Sequence, residues 1–86
     1  MPAEAITESS LMDLGFVLLS WDVGRQEKSY TCHGPEGKYL TVRFKAGSVV
    51  EWVENGQEVP AASWPRDLEA VKRVMKIIGV TFSERT

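Results

Sequence analysis

Few side chains in this 86-residue chain could do acid–base chemistry at neutral pH, and the one whose ordinary pKa suits it is His33, the single histidine. A nucleophile–histidine–carboxylate site needs its histidine held by other groups. His33 instead stands directly before Gly34-Pro35-Glu36-Gly37, a run that reads as a tight turn. The expectation is a residue flanking a turn. Its neighbour Cys32 is the only cysteine, which excludes an internal disulfide and a multi-cysteine zinc site. With no cation beside it except His33, Cys32 reads as a small buried hydrophobe. No His, Cys or carboxylate cluster has metal-ligand spacing, and no glycine-rich phosphate loop follows a strand and opens a helix. No catalytic residue, metal or cofactor is therefore assigned.

What remains is the chemistry of contact. Trp21, Trp52 and Trp64 are a high tryptophan load for this length, and aromatic anchors are enriched at binding hot spots. Trp64 falls in a helical stripe and reads as core, whereas Trp52 stands on a strand near the end of a sheet and reads as a candidate anchor. Tyr39, Arg43 and Lys45 share the polar parity of one strand, and Arg25 and Lys28 are expected close by. These five residues with Trp52 form the candidate binding surface, basic and aromatic; a solvated sheet face would carry the same pattern.

The elements that must position these groups are legible from periodicity and caps. Thr7 reads as the N-cap of a short helix with Ile6 and Leu11 as a hydrophobic staple, ended by Gly15, with Phe16 folding back on Leu11. Phe16 to Trp21 is apolar on both parities and predicts a strand covered at least in part on both faces. A polar loop over Asp22 to Glu27 leads to a second strand, Lys28 to His33, and the Gly34–Gly37 turn to a third, Lys38 to Lys45, in which Leu40, Val42 and Phe44 share one face. After the Ala46-Gly47-Ser48 turn, a fourth strand over Val49 to Glu54 meets Asn55-Gly56, the dipeptide of type I′ hairpins. A short return arm, Gln57 to Val59, ends at Pro60. Trp64, Leu68, Val71, Met75 and Ile78, widened by Val74 and Ile77, predict the main core helix, with Pro65 and Asp67 at its start, an ion pair from Glu69 to Arg73, and Gly79 as its stop. Phe82 is expected to fold back onto the core. The sum is a single α+β domain of order α-β-β-β-β-α, an antiparallel sheet of three to five strands with both helices on one face.

Charge and hydropathy narrow the partners. Ten Lys and Arg against twelve Asp and Glu give a net charge of −2 and a pI near 5.3, without the positive field that non-specific nucleic-acid binding needs. The longest apolar run, Phe16 to Leu19, is far too short for a membrane span, and Met1 to Glu4 carries neither a basic nor an apolar leader, so a cytoplasmic protein is expected.

Leu14-Gly15-Phe16-Val17-Leu18, Gly24, Pro35-Glu36-Gly37-Lys38-Tyr39-Leu40-Thr41-Val42 and the stretch from Val71 to Val80 together resemble the HicA-type toxins, over roughly two-thirds of the chain. Those are small α-β-β-β-α proteins, similar to double-stranded-RNA-binding domains, that cleave mRNA. Gly24 matches the glycine that opens the family's catalytic Gly-Ser-His, but the next two positions here are Arg25 and Gln26. His33 aligns with a less specific position near the hairpin proline, and Ala46 to Ser63 is an addition. The resemblance thus implies the scaffold without the catalytic base. The leading expectation is a non-catalytic binding protein of prokaryotic or phage type acting on another protein as inhibitor or adaptor. The alternative is an RNA-binding or mRNA-cleaving toxin-like protein that sets Arg25, Lys28, Arg43 and Lys45 on phosphates.

Overall fold

A computed structural model describes residues 5–80. The first helix, α1 (Glu8–Leu14), starts where Thr7 Oγ1 accepts from the Ser10 amide and the Ser10 hydroxyl accepts from the Thr7 amide, a reciprocal box at 3.0 and 2.9 Å. It stops at Gly15, whose φ of 110° turns the chain left-handed. The amides of Gly15 and Phe16 then close on the carbonyls of Met12 and Leu11, as a Schellman motif requires.

Five strands follow as a meander: β1 (Val17–Asp22), β2 (Glu27–His33), β3 (Tyr39–Lys45), β4 (Ser48–Glu54) and β5 (Gln57–Glu58), each hydrogen-bonded to the next in an antiparallel sheet of order β1-β2-β3-β4-β5. The expected α+β architecture is what the chain adopts. Asn55 and Gly56 both take positive φ, 51° and 85°, which gives the β4–β5 turn the twist that a two-residue hairpin needs. Helix α2 (Leu68–Ile78) is capped by Asp67, whose carboxylate accepts from the Ala70 amide at 2.8 Å, and it ends at Gly79.

One cluster forms the core. Leu11 and Leu14 from α1, Leu68, Val71, Met75 and Ile78 from α2, and the inner sheet face of Tyr30, Cys32, Leu40, Val42, Phe44 and Trp52 are buried together with Phe16 and Val80. The six positions Leu40, Val42, Phe44, Val71, Met75 and Ile78 therefore share a core, as the alternation of the third strand and the helical stripe imply.

Three expectations need correction. Trp64 lies ahead of α2 rather than on it, because a residue before proline is held extended: its ψ is 141°, and the helix begins only after Pro65 and Arg66. Ile77 does not widen the buried stripe; it is 78% exposed, while Val74 packs against the core. Glu69 pairs with Lys72, three residues on at 3.2 Å, in place of the expected Glu69–Arg73 pair. Phe82 lies outside the described residues.

Candidate interaction surface

Strand β1 is where the structure departs furthest from its sequence pattern. Apolar residues on both parities imply cover on both faces, yet every residue of β1 is exposed. The cause is position. β1 is the terminal strand of the sheet, with β2 on one side only, and among the described residues nothing pairs with its other edge. The buried residues of both helices pack with β2, β3 and β4 side chains, and only Phe16, just ahead of the strand, joins them. The result is an apolar edge, interrupted by Ser20 and Asp22: Val17 57%, Leu18 48%, Leu19 60%, Trp21 57% and Val23 69% exposed. The β1–β2 register shifts between Leu18 and Ser20, a bulge that puts Leu19 out of step with its neighbours.

Beside this strip lies a hollow of about 350 Å³ between the start of α1 and the turns at Val23–Gln26 and Ala46–Gly47, walled by Trp21, Val23 and Phe44. Its charged groups are already engaged. Lys28 Nζ sits 4.7 Å from the centre of the Trp21 ring and 3.6 Å from Glu8, and Glu8 accepts the Tyr30 hydroxyl at 2.6 Å. Burial, followed by the hydrogen bond and negative charge of Glu8, pushes the Tyr30 phenol up to about 12. Burial likewise pushes the Cys32 thiol up to about 11, against a weaker opposing hydrogen bond from the backbone of Leu40, so this free cysteine is held as an inert thiol.

The candidate binding residues do not converge. Trp52 is 1% exposed: opposite Val42 on the inner face, it is among the largest fully buried side chains, and it cannot anchor a partner. Its parity on β4 is that of the core, a fact hidden by the register shift between Arg43 and Phe44 that brings Val49 rather than Val50 opposite Phe44. The four cations also separate. Lys28 shares the inner parity of Tyr30 and Cys32 and crosses from Trp21 on one side to Phe44 on the other, whereas Arg43 and Lys45 point to the outer face. Arg43 lies between Glu27 at 3.8 Å and Glu51 at 3.4 Å, and Arg25, on the β1–β2 turn, reaches Asp22 at 3.9 Å. A run of phosphates would meet three cations that already face carboxylates, Arg25, Lys28 and Arg43, with Lys28 on the opposite side of the sheet from Arg43 and Lys45.

The remaining candidates have local tasks. Tyr39 is half-buried; its amide donates to Asn55 Oδ1 at 2.8 Å and its carbonyl accepts from the Asn55 amide at 3.0 Å, which ties the β4–β5 hairpin to β3. The outer face around it is polar and cross-bonded, with Thr41 donating to Thr31 and Thr31 to the Leu40 carbonyl. His33 is exposed at the end of β2, its ring 6.3 Å from that of Tyr39. Trp64 Nε1 donates to the Val59 carbonyl at 2.9 Å, so the half-buried indole seals the chain leaving β5. Sequence reasoning passed over the exposed strip, and its available signal was the absence of charge from Leu14 to Trp21 next to a polar loop.

Among the described residues, no three His, Cys, Asp or Glu side chains converge as a metal site, and no helix is long and apolar enough to cross a membrane. No protein-family model, curated protein or solved structure matches this chain.

Proposed function

We propose that this chain is a small binding domain that acts by protein–protein contact, as an inhibitor or adaptor, and that its contact surface is the open edge of β1 with the flanking Trp21. The observation that carries the reading is the unpaired edge strand, uncharged from Val17 to Trp21. An edge with free backbone donors and acceptors and exposed apolar side chains is a template for an added strand, main-chain hydrogen bonds giving affinity and the alternating side chains giving selectivity. The hollow walled by Trp21, Val23 and Phe44 adjoins that edge and is sized to take one side chain of an added strand. A single free, buried cysteine suits a reducing compartment such as the cytoplasm. The toxin-like alternative draws on the helix–sheet–helix order; Arg25 and Gln26 in place of the catalytic pair, and cations engaged by carboxylates, weigh against it.

Selection of unstructured peptides from a displayed library on the immobilised protein tests the reading, with a double-stranded RNA titrated in parallel. Peptide binding is expected to depend weakly on salt, to be lost in Leu19→Lys and to weaken by about 2 kcal/mol in Trp21→Ala. Tight RNA binding at physiological salt with a steep salt dependence, abolished by Arg43→Ala with Lys45→Ala and indifferent to Leu19→Lys, would establish the alternative instead.

A further inference from the structure

At the edge of the sheet away from β1, we infer that Asn55-Gly56 is a site of spontaneous covalent modification whose rate the fold sets: the docked β4–β5 hairpin holds Asn55 unreactive, and opening of the hairpin lets it convert. Asn55 is the single asparagine of the sequence, exposed in the turn and followed by glycine, the residue that shields its own nitrogen least. The reaction consumes only water. The Gly56 nitrogen attacks Cγ of Asn55, a new N–Cγ bond forms and the Cγ–Nδ2 bond breaks. Ammonia leaves with the proton that the Gly56 amide gives up. Water then adds to the cyclic imide at Cγ, which yields aspartate, or at the main-chain carbonyl carbon, which yields isoaspartate joined to Gly56 through its side chain.

Two features of the native turn oppose the first step. Ring closure needs Cβ and the Gly56 nitrogen on the same side of the Asn55 Cα–C bond. Positive φ at Asn55 and Gly56, 51° and 85°, marks a type I′ turn, whose first central ψ of about +30° sets those two atoms almost opposite. The Asn55–Gly56 peptide must therefore flip before it reacts. The side chain is also clamped. Its Oδ1 accepts from the Tyr39 amide at 2.8 Å while the Asn55 amide donates to the Tyr39 carbonyl at 3.0 Å, so both backbone and carboxamide are fixed to β3.

The products act on the hairpin itself. An open hollow lined by Glu54, Asn55, Gln57 and Glu58 admits the water that the second step needs. Isoaspartate adds one atom to the main chain, which the two-residue connection between the paired Glu54 and Gln57 cannot absorb without giving up that pair or the Tyr39 clamp. Either product adds a carboxylate to a hollow that already holds those of Glu54 and Glu58. Because ammonia is lost, conversion is a one-way record of hairpin opening.

Intact-mass spectrometry of the full chain, aged at about pH 8 in buffer and in urea, reads the exchange of NH2 for OH, and peptide mapping reads its position. The unfolded chain is expected to convert about 5–30-fold faster than the native one, the factor by which one or two hydrogen bonds shift an opening equilibrium. Trp64→Phe, which loses the indole bond to the Val59 carbonyl behind β5, should convert faster when native and at the parental rate in urea. The isoaspartyl fraction should unfold at lower urea than Asn55→Asp, whose carboxylate can still accept from the Tyr39 amide. Equal rates in the two states overturn the inference, as does conversion that persists in Asn55→Gln or an unfolded chain that does not convert. Faster conversion of the native chain overturns it too, since the Tyr39 amide would then be stabilising the oxyanion formed on attack rather than restraining the side chain. A native Trp64→Phe rate equal to the parental one removes the hairpin as the gate.

Discussion

Two tryptophans exchange roles between sequence and structure, and the exchange decides what each substitution does. Trp52 is sealed under the sheet, so Trp52→Ala should cost about 3–5 kcal/mol in urea unfolding, as deletions of large buried aromatics do. Trp21 gives up only its contact with Lys28, and Trp21→Ala should cost about 1 kcal/mol or less while removing the aromatic of the exposed strip. Equal losses in the two variants would contradict this assignment. Cys32 and Tyr30 carry a pH signature. The fold holds both protonated to higher pH than the unfolded chain does, so above the unfolded values the native state binds more protons and stability falls as pH rises. That contribution is intact below about pH 9 and lost progressively up to about pH 12, the range set by the two raised pKa values. Melting temperatures taken from pH 8 to 12 should decline across that window, and a flat profile would show that burial does not hold these protons. Native Cys32 should also resist a thiol reagent at pH 8 and react at once in denaturant.

At the scale of elements, legibility followed the strength of local signals. Caps and turns could be read because each rests on a few adjacent residues: Thr7, Gly15, Asn55-Gly56 and Gly79 act as their types imply. The start of α2 was misplaced because Trp64 continues the hydrophobic spacing while Pro65 forbids the helical conformation before it, and the steric term won. The β1 edge was illegible for a different reason. Period and composition show that a strand is apolar, but cover comes from elements elsewhere in the chain, and here the helices lie over β2 to β4. The basic cluster was lost to parity, since one strand position separates Lys28 from the outer face. Two variants probe the elements themselves. Met75→Ala, in the centre of the α2 stripe, should cost about 2–5 kcal/mol, and an unchanged melting temperature would refute the packing described. Asn55→Ala gives up the bond to the Tyr39 amide and puts alanine at positive φ, so a loss of about 1–2 kcal/mol is expected by urea unfolding.

Considered as a whole, the described residues form one core cluster and a sheet whose edge strands are the apolar β1 and the short, polar β5. Arg25, Lys28, Arg43 and Lys72 are paired with carboxylates, the lone histidine is exposed at a strand end, and the groups with raised pKa values are buried in the core. Incubation of the purified protein with RNA at neutral pH is expected to give no cleavage above background, a positioned acid or base being worth roughly 10²–10⁴-fold in rate. The recognition surface we propose is β1, whose open edge and exposed apolar side chains the described residues leave unmatched. Residue-resolved amide hydrogen exchange tests this most directly, comparing the free chain at about 1 μM with the chain saturated with a selected peptide. The account predicts that outward-facing amides of residues 17–22 exchange quickly in the dilute protein and become protected on association, while β2 to β4 stay protected in both states. Protection of those β1 amides already at about 1 μM, or association that leaves them unprotected and slows exchange elsewhere, would contradict it.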